Sequence, residues 1–210
     1  DVEELDITSR EAVNRFVKDN AIDIIVNCAA YTNVDKAESD EVLAHKINAL
    51  AVENLGISGA RVIHVSTDYV FSGDACVPYE ETDKVAPRTA YGRTKLAGEE
   101  LLQVVCPEAI IIRTAWLYST FGNNFVKTML RLGQEREALG VVFDQIGSPT
   151  YAADLAMAIF AAIEAPEWHA GVYHFTNEGV CSWYDFTHEI FARAQALLST
   201  DAAQRIAQCN

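Results

Sequence analysis

The chain has 210 residues, half of them apolar, and a formal net charge of −14 from 30 acidic and 16 basic residues. This length suits one large domain, or one domain with a small additional lobe. The acidic balance argues against binding to nucleic acid or anionic membranes, because both need a basic surface. No apolar run approaches the roughly 20 residues that span a bilayer, and no secretory signal opens the sequence, so we expect a cytoplasmic protein.

The first half of the sequence alternates predicted helices with predicted strands. Thr8, with Glu11 three residues later, is typical of a capping box and predicts that a helix begins there. The β-branched run over 21–27 predicts a parallel strand that is covered on both faces. The next predicted helix has an apolar stripe, which consists of Val42, Leu43, Ile47, Leu50 and Leu55. A second strand is predicted over 61–66.

The second half continues this alternation after a polar loop over about 68–88. The next elements are predicted as a helix that contains Tyr91, a strand at 109–116, a helix at 125–132 and a strand at 141–143. This order predicts an α/β fold with a doubly wound parallel sheet. Beyond Pro149, a helix at 151–163, a strand at 172–175 and a helix at 182–198 are predicted to form a second layer or small lobe.

The cysteines and histidines show no metal-binding pattern. The five cysteines are odd in number, widely spaced and without a Cys-x-x-Cys pair, which argues against a disulfide framework or a thiolate metal site. The five histidines have neither His-x-His nor His-Glu-x-x-His spacing. We therefore predict reduced thiols and no metal site.

Tyr91 and Lys95 are four residues apart, so a helix places them on one face, one turn from each other. Free tyrosine has a pKa of about 10, which is too high for an efficient acid near neutral pH. An adjacent ammonium group favours the phenolate and is expected to lower this pKa. The spacing alone is weak evidence, but residues at the ends of three predicted strands support it.

These strand ends carry short polar or small residues: the segments begin at Asn27, Ser66 and Thr114. In doubly wound sheets, ligands bind at the carboxyl ends of the strands, near the point where the strand order reverses. We therefore expect the three segments and the Tyr91 helix to meet at one site.

Several longer strings carry a resemblance to a known family. Ser66-Thr-Asp-Tyr-Val-Phe71, followed by Tyr91-Gly-Arg-Thr-Lys95, resembles the extended short-chain dehydrogenase/reductases. Longer strings that begin at Asn27, Arg113, Gly122 and Asp144 narrow this resemblance to the dTDP-4-dehydrorhamnose reductase family.

This resemblance implies that NADPH reduces the C4 ketone of dTDP-4-dehydro-L-rhamnose to give dTDP-L-rhamnose. The resemblance assigns catalysis to Thr67, Tyr91 and Lys95. Tyr91 would donate the proton, Lys95 would lower the pKa of Tyr91 and hold the cofactor ribose, and Thr67 would orient the carbonyl. The sequence leaves NADH open as an alternative cofactor, because the residues that read the 2′-phosphate follow the family's second strand.

The resemblance also assigns binding residues and domains. The cofactor-binding set is Asp6, Ile7, Ala29, Ala30, Tyr31, Thr32, Tyr91 and Lys95. The substrate-binding set is Val34, Thr67, Asp68, Tyr69 and Trp116. Residues 1–148 are predicted to form a Rossmann-like NAD(P)-binding domain without its first β-α-β unit, and residues 149–210 part of a substrate-binding lobe.

The sequence departs from the family pattern in two places. The family begins with a strand and a Gly-x-x-Gly-x-x-Gly turn that approaches the cofactor diphosphate, and neither precedes Asp1 here. We therefore expect this chain alone to be inactive and to bind cofactor poorly. Some members bind Mg²⁺ at a dimer interface through a glutamate, but here that position is Ala153, with Asp154 beside it. We expect no such metal-linked dimer, and a homodimer of another kind stays open.

Two alternatives remain. Nucleotide-sugar epimerases and dehydratases also use a Tyr-x-x-x-Lys pair, but dehydratases place a glutamate beside the threonine, where this chain has Asp68 and Tyr69. A related, non-catalytic family consists of regulatory subunits of methionine adenosyltransferase. The intact set of Thr67, Tyr91 and Lys95 favours the enzyme.

Overall fold

The computed structural model describes residues 3–197. The chain divides into two compact units. The first unit comprises residues up to Thr114 together with Ala161–Phe175, and the second comprises Ala115–Phe160 and the residues from Thr176 onward. None of the helices in the described part has the length and apolar character that a membrane crossing requires.

The described strands are β1 Ile24–Asn27, β2 Arg61–Thr67, β3 Ile110–Thr114, β4 Leu117–Tyr118, β5 Ile146–Gly147, β6 Thr150–Tyr151, β7 Gly171–His174 and β8 Cys181–Ser182. The α-helices are α1 Arg10–Asp19, α2 Val34–Ala37, α3 Glu41–His45, α4 Ala51–Gly56, α5 Ala90–Val105, α6 Phe125–Glu135, α7 Ala152–Glu164 and α8 Trp183–Leu197. A π-helical segment occupies Lys46–Leu50, and a 3₁₀ turn occupies Asp68–Val70.

The first unit is built on a four-stranded parallel sheet with the order β1-β2-β3-β7. All five residues of β3 are buried, which explains its apolar, β-branched sequence. α5 packs against this sheet through Leu102, which joins Val62 and Ile111 in one buried cluster. The predicted α/β fold is confirmed. However, β1 lies at the edge of the described sheet and Val26 is exposed, so the prediction that this strand is covered on both faces is wrong in this structure.

The strand predicted for the small lobe belongs instead to this main sheet. β7 pairs in parallel with β3, with Ile111 beside Val172 and Arg113 beside His174. Backbone pairing with a central strand places β7 in the first unit, although the helices before and after it in sequence begin in the second. A short apolar run does not by itself reveal which sheet it joins.

The start of α1 differs by one residue from the prediction. The side chain of Ser9, and not that of Thr8, accepts a hydrogen bond from the backbone of Ala12. Thr8 instead donates its backbone N–H and its hydroxyl to Asp6 Oδ1, at 2.9 and 2.7 Å. Two hydroxyl residues in succession made the sequence pattern ambiguous.

The π-helical segment changes which side chains of the second predicted helix face the interior. Val42 is 87% exposed, and Leu43 and Leu50 are also exposed, so the predicted apolar stripe is wrong at these positions. Ala44, Asn48 and other small residues are buried instead. A π turn adds one residue to the helical repeat and rotates the residues that follow, so it bears on Leu50 but not on Val42 and Leu43, which precede it.

The described part of the second unit contains four two-residue strands, in two pairs, and a cluster of aromatic residues. β4 pairs with β6, and β5 pairs with β8, so β5 takes the place of the strand predicted at 141–143. That predicted strand is wrong: Val142 and Phe143 are exposed, and only the carbonyl of Val142 is seen to accept a backbone hydrogen bond, from Tyr184. α6 and α8 pack together through Met129, Ile190 and Phe191.

Candidate active site

The carboxyl end of β2 carries the predicted catalytic threonine. The hydroxyl of Thr67 accepts a hydrogen bond from the Tyr69 backbone at 3.2 Å and lies 3.0 Å from Asp68 Oδ1. These bonds close the 3₁₀ turn directly after the strand. The predicted substrate residues Asp68 and Tyr69 are thereby held next to Thr67.

α5 begins against this turn and places Tyr91 beside it. Thr89 caps the helix by accepting a hydrogen bond from Gly92 N–H at 3.0 Å. A Cβ atom on Gly92 would lie 2.3 Å from the carbonyl oxygen of Tyr69, so only glycine allows this close approach. The rings of Tyr69 and Tyr91 then meet edge to face, with centroids 5.4 Å apart.

The phenol of Tyr91 is protonated at neutral pH. Burial raises the pKa of Tyr91 to about 12, and the nearby charges of Asp68 and Tyr69 also raise it, against a hydrogen bond from Thr67 that lowers it. The Thr67 hydroxyl favours the phenolate here. The role of Lys95 in lowering the pKa of Tyr91 stays a prediction.

The ammonium group of Lys95 points toward β2. Its Nζ lies 2.8 Å from the carbonyl oxygen of Val65 and 3.2 Å from Nε2 of His64. The side chain is only 2% exposed. Burial lowers the pKa of Lys95 to about 8, although the charge of Glu99, and that of Cys28 when it is ionised, raise it.

Beneath these residues, α5 is joined to β3 by a buried ion pair. Arg113 binds Glu99 through Nε and Nη2, with the shortest distance 2.7 Å, and both side chains are less than a tenth exposed. Ser66 donates its hydroxyl to the same carboxylate. Glu99 is one helical turn beyond Lys95, so this network lies next to the lysine.

The predicted cofactor segment after β1 is fixed by Asn48. Tyr31 N–H donates to Asn48 Oδ1 at 2.8 Å, and Asn48 Nδ2 donates to the Tyr31 carbonyl at 3.2 Å and to Thr94 at 3.1 Å. Ala29 is exposed, and Ala30 and Tyr31 are half-buried. The sequence analysis did not select Asn48, although an asparagine within an apolar helix was the available signal.

Thr32 and Val34 follow β1 in the chain. Thr32 is exposed, and Val34 is half-buried at the start of α2, which Asn33 caps. The charge of neighbouring Asp35 helps to raise the pKa of Tyr69, after the larger effect of burial. The assignment of Val34 and Tyr69 to the substrate site stays a prediction.

Asp6 and Ile7 have structural contacts in the described residues. Asp6 is exposed, and its bonds to Thr8 lower its pKa. Ile7 packs against a cluster that includes Val13, and its carbonyl accepts a hydrogen bond from Asn54 at 3.1 Å. Their role in cofactor binding stays a prediction.

Trp116 lies in the second unit. Its backbone adopts a positive φ of 49°, and its ring stacks on Trp183 with centroids 3.5 Å apart. A Cβ atom on Gly147 would lie 2.7 Å from the Trp116 ring, so the glycine leaves room for the indole. Its predicted contact with substrate stays a prediction.

Within residues 3–197 no group of three or more His, Cys, Asp or Glu side chains is arranged to hold a metal ion. Four cysteines are described, Cys28, Cys76, Cys106 and Cys181, and all four are free thiols. Cys209 lies outside the described residues.

The parallel sheet and the group formed by Thr67, Tyr91 and Lys95 define the class of short-chain dehydrogenase/reductase folds. The family model described as the RmlD substrate binding domain matches residues 1–208. The chain belongs to the dTDP-4-dehydrorhamnose reductase family.

Two curated relatives carry the name dTDP-4-dehydrorhamnose reductase. The Aggregatibacter actinomycetemcomitans protein is 44% identical over 93% of this chain and 69% of its own length. The Escherichia coli K12 protein is 48% identical over 90% of this chain and 66% of its own length. The chain thus spans about two thirds of the length of these relatives.

Two solved structures of dTDP-4-dehydrorhamnose reductases are similar to this one. The Clostridium acetobutylicum structure has a TM-score of 0.89 at 47% identity and covers 92% of this chain and 70% of its own. The Bacillus anthracis structure, in complex with NADP, has a TM-score of 0.89 at 46% identity, with the same coverage.

Proposed function

We propose that the complete protein reduces the C4 ketone of dTDP-4-dehydro-L-rhamnose with NADPH, in the cytoplasm, to give dTDP-L-rhamnose. Family membership and the NADP complex of the Bacillus anthracis relative support this reaction. The observation that carries it is the arrangement at the end of β2, where the Tyr91 ring packs edge to face on Tyr69, the residue whose backbone N–H bonds Thr67, with Lys95 one turn along α5.

The residues present fit a nicotinamide cofactor. Ala29 and Ala30 are small, so a ligand can approach the backbone after β1, and Asn48 fixes the segment that follows. Lys95 offers N–H donors suited to ribose hydroxyls. It lies near Cys28, which directly follows β1, and therefore at the same end of the sheet as this segment. In this proposal Lys95, Tyr91 and the segment from Ala29 to Thr32 hold the cofactor, with Asp6 and Ile7 nearer its adenine end.

When bound, the reduced nicotinamide supplies a hydride to the ketone carbon. The carbonyl oxygen gains negative charge as this happens and needs a proton. Tyr91 donates its phenolic proton to that oxygen, so the C=O group becomes CH–OH and Tyr91 becomes a phenolate. The Thr67 hydroxyl orients the carbonyl beforehand and then stabilises the phenolate through its hydrogen bond.

In this proposal Val34, Asp68 and Tyr69 of the first unit contact the sugar. Trp116 is also proposed to bind substrate. Residues 149–210 contribute a lobe for the substrate, apart from β7, which pairs with β3.

Product analysis with NADPH deuterated at the transferred position tests the reaction. We expect the complete protein to place deuterium on C4 of the sugar and to release dTDP-L-rhamnose, with one NADPH oxidised per product. An epimerase or a dehydratase would return the cofactor unchanged over its cycle. A regulatory subunit would oxidise no NADPH. Either result would contradict the proposal.

A further inference from the structure

His64 is a buried titratable side chain that the proposed reaction does not use. It lies in β2, fully buried, between the end of β1 and α5. Its Nε2 is 3.2 Å from Lys95 Nζ, and its Nδ1 is 2.9 Å from Asn27 Nδ2. Contacts at both ring nitrogens hold the imidazole in one orientation.

The position of the ring proton follows from the backbone. Ala29 N–H can only donate, and it binds Asn27 Oδ1 at 3.1 Å. The amide oxygen of Asn27 therefore faces Ala29, and its NH₂ group faces His64. Because an NH₂ group can only donate, Nδ1 of His64 must be the acceptor. The proton of the neutral ring is then on Nε2, an assignment that rests on the hydrogen-bond partners.

Lys95 Nζ therefore meets an N–H donor. It donates to the carbonyl of Val65 at 2.8 Å, and a neutral amine has a lone pair left to accept from His64. An ammonium group has no lone pair and would face a second donor. The observed contacts thus match the amine form of Lys95.

We propose that Asn27 and His64 are positioning residues that couple the protonation state of Lys95 to the hydrogen bond of Ala29 N–H. When Lys95 gains a proton from solvent, it must donate to Nε2, and the ring proton must then be on Nδ1. Asn27 turns its oxygen toward His64 in response, and Ala29 loses its acceptor. The net change is one added proton. Its effect reaches the segment after β1 that contains Ala29 and ends at Tyr31, whose N–H bonds Asn48 of the π-helical segment.

The other ionisable groups near Lys95 are few in the described residues. Glu99 lies on the same helix and is paired with Arg113 of β3, Cys28 follows β1, and Tyr91 is one turn earlier on α5. Glu99 and Cys28 favour the ammonium form, against burial. Burial and Lys95 hold the pKa of His64 well below its ordinary value, so the ring stays neutral at neutral pH.

The tautomer of His64 can be measured directly by long-range ¹H–¹⁵N NMR correlation of the imidazole rings in the complete protein. The chain has five histidines, and the His64 signal is the one that His64→Gln removes. We expect a ring that stays neutral from pH 6 to 10, with its proton on Nδ1 while Lys95 is an ammonium group and on Nε2 once Lys95 is an amine; the range includes the ordinary histidine pKa of about 6.5. Titration of the ring in this range, or a tautomer that stays the same while the ¹³Cε signal of Lys95 titrates, overturns the proposal.

Asn27→Asp tests the coupling. A carboxylate accepts from both Ala29 N–H and His64, so we expect the ring proton to move to Nδ1 and the pKa of Lys95 to rise by about 1 to 3 units, measured from its ¹³Cε shift. Cys28→Asp is the matched control, because it adds the same charge near Lys95 without contacting the ring. It should raise the pH at which the tautomer changes without abolishing the change. A tautomer that still changes with pH in Asn27→Asp, or one that no longer changes in Cys28→Asp, contradicts the coupling.

The significance of this coupling for turnover rests on the proposed function, in which Lys95 and Ala29 bind the cofactor. The tautomer measurement does not depend on that function, because it needs neither cofactor nor substrate. If deuterium transfer fails while the tautomer is as expected, only the proposed function is wrong. If the tautomer is wrong while deuterium is transferred, only the coupling is wrong.

Discussion

The first unit buries ionisable side chains beneath its candidate site, whereas the described part of the second unit fills its interior with aromatic rings. In the first unit, Lys95, Glu99 and His64 are each almost completely buried and held by hydrogen bonds. In the second, Trp183 stacks on Trp116 and contacts Phe125 with centroids 4.4 Å apart.

The difference shows where specific geometry is needed. A buried charge is costly unless it is paired, so removing one partner of such a pair is strongly destabilising. Aromatic packing depends on shape and is therefore sensitive to a change of side-chain volume. The first unit therefore accepts an energetic cost at the residues that the proposed reaction uses, and the second does not. Three sets of stability measurements on variants distinguish these two kinds of interior.

Breaking the buried ion pair should have the largest effect. Glu99→Gln leaves the Arg113 guanidinium without its counter-ion, and we expect a loss of about 3 to 5 kcal/mol in the free energy of unfolding, measured with urea. The double variant Glu99→Leu/Arg113→Met should lose less than Glu99→Gln, because no unpaired charge is left.

The exposed pair Arg131–Glu135 on α6 serves as the control, and Glu135→Gln should cost less than about 0.5 kcal/mol. Equal losses for the buried and the exposed pair would show that burial does not set the cost.

Lys95 should make stability depend on pH. Its folded pKa of about 8 lies below its ordinary value of 10.5, so above pH 8 the unfolded state binds more protons than the folded state. Stability therefore rises with pH through this window. Between pH 7 and pH 10 we expect the wild type to gain about 2 to 3 kcal/mol relative to Lys95→Met.

The measurement is urea unfolding at both pH values. It stops at pH 10, because the raised pKa of Tyr91 makes stability fall between about pH 10 and 12, as the unfolded state loses its proton first. Lys84→Met, at an exposed loop position, should follow the wild type. A parallel dependence in wild type and Lys95→Met would contradict the depressed pKa.

Filling space in the aromatic interior should have a smaller effect. In Gly147→Ala the new methyl group would lie 2.7 Å from the Trp116 ring, and we expect a loss of about 1 to 3 kcal/mol, with a change in tryptophan fluorescence. Gly140→Ala is the control in the same unit, because a Cβ atom there meets nothing within 4 Å. If both variants are equally stable, the Trp116 ring is not fixed by its packing.

The sequence predicted the parallel sheet well, because β2 and β3 are continuous apolar runs that few other structures accommodate. It did not predict β7 as the neighbour of β3, since a four-residue strand contains no information about its partner. It also missed the π-helical segment at Lys46–Leu50, where one additional residue per turn shifts the buried face.

For the site, the sequence predicted that Thr67, Tyr91 and Tyr69 come together, and the structure brings them into contact. It could not predict the direction of the Lys95 side chain. That direction depends on the carbonyl of Val65 and on His64, which are contributed by a strand about 30 residues earlier in the chain. The sequence also could not predict the raised pKa of Tyr91, because its largest cause is the burial of the phenol.

The most direct test of the central claim is the rate of NADPH oxidation by the complete protein with dTDP-4-dehydrorhamnose, compared between wild type and Tyr91→Phe. The variant keeps the ring that packs against Tyr69 and removes only the proton donor. We predict that turnover falls by at least about 10²- to 10⁴-fold while NADPH still binds. Unchanged turnover in Tyr91→Phe would contradict the assignment of Tyr91 as the acid.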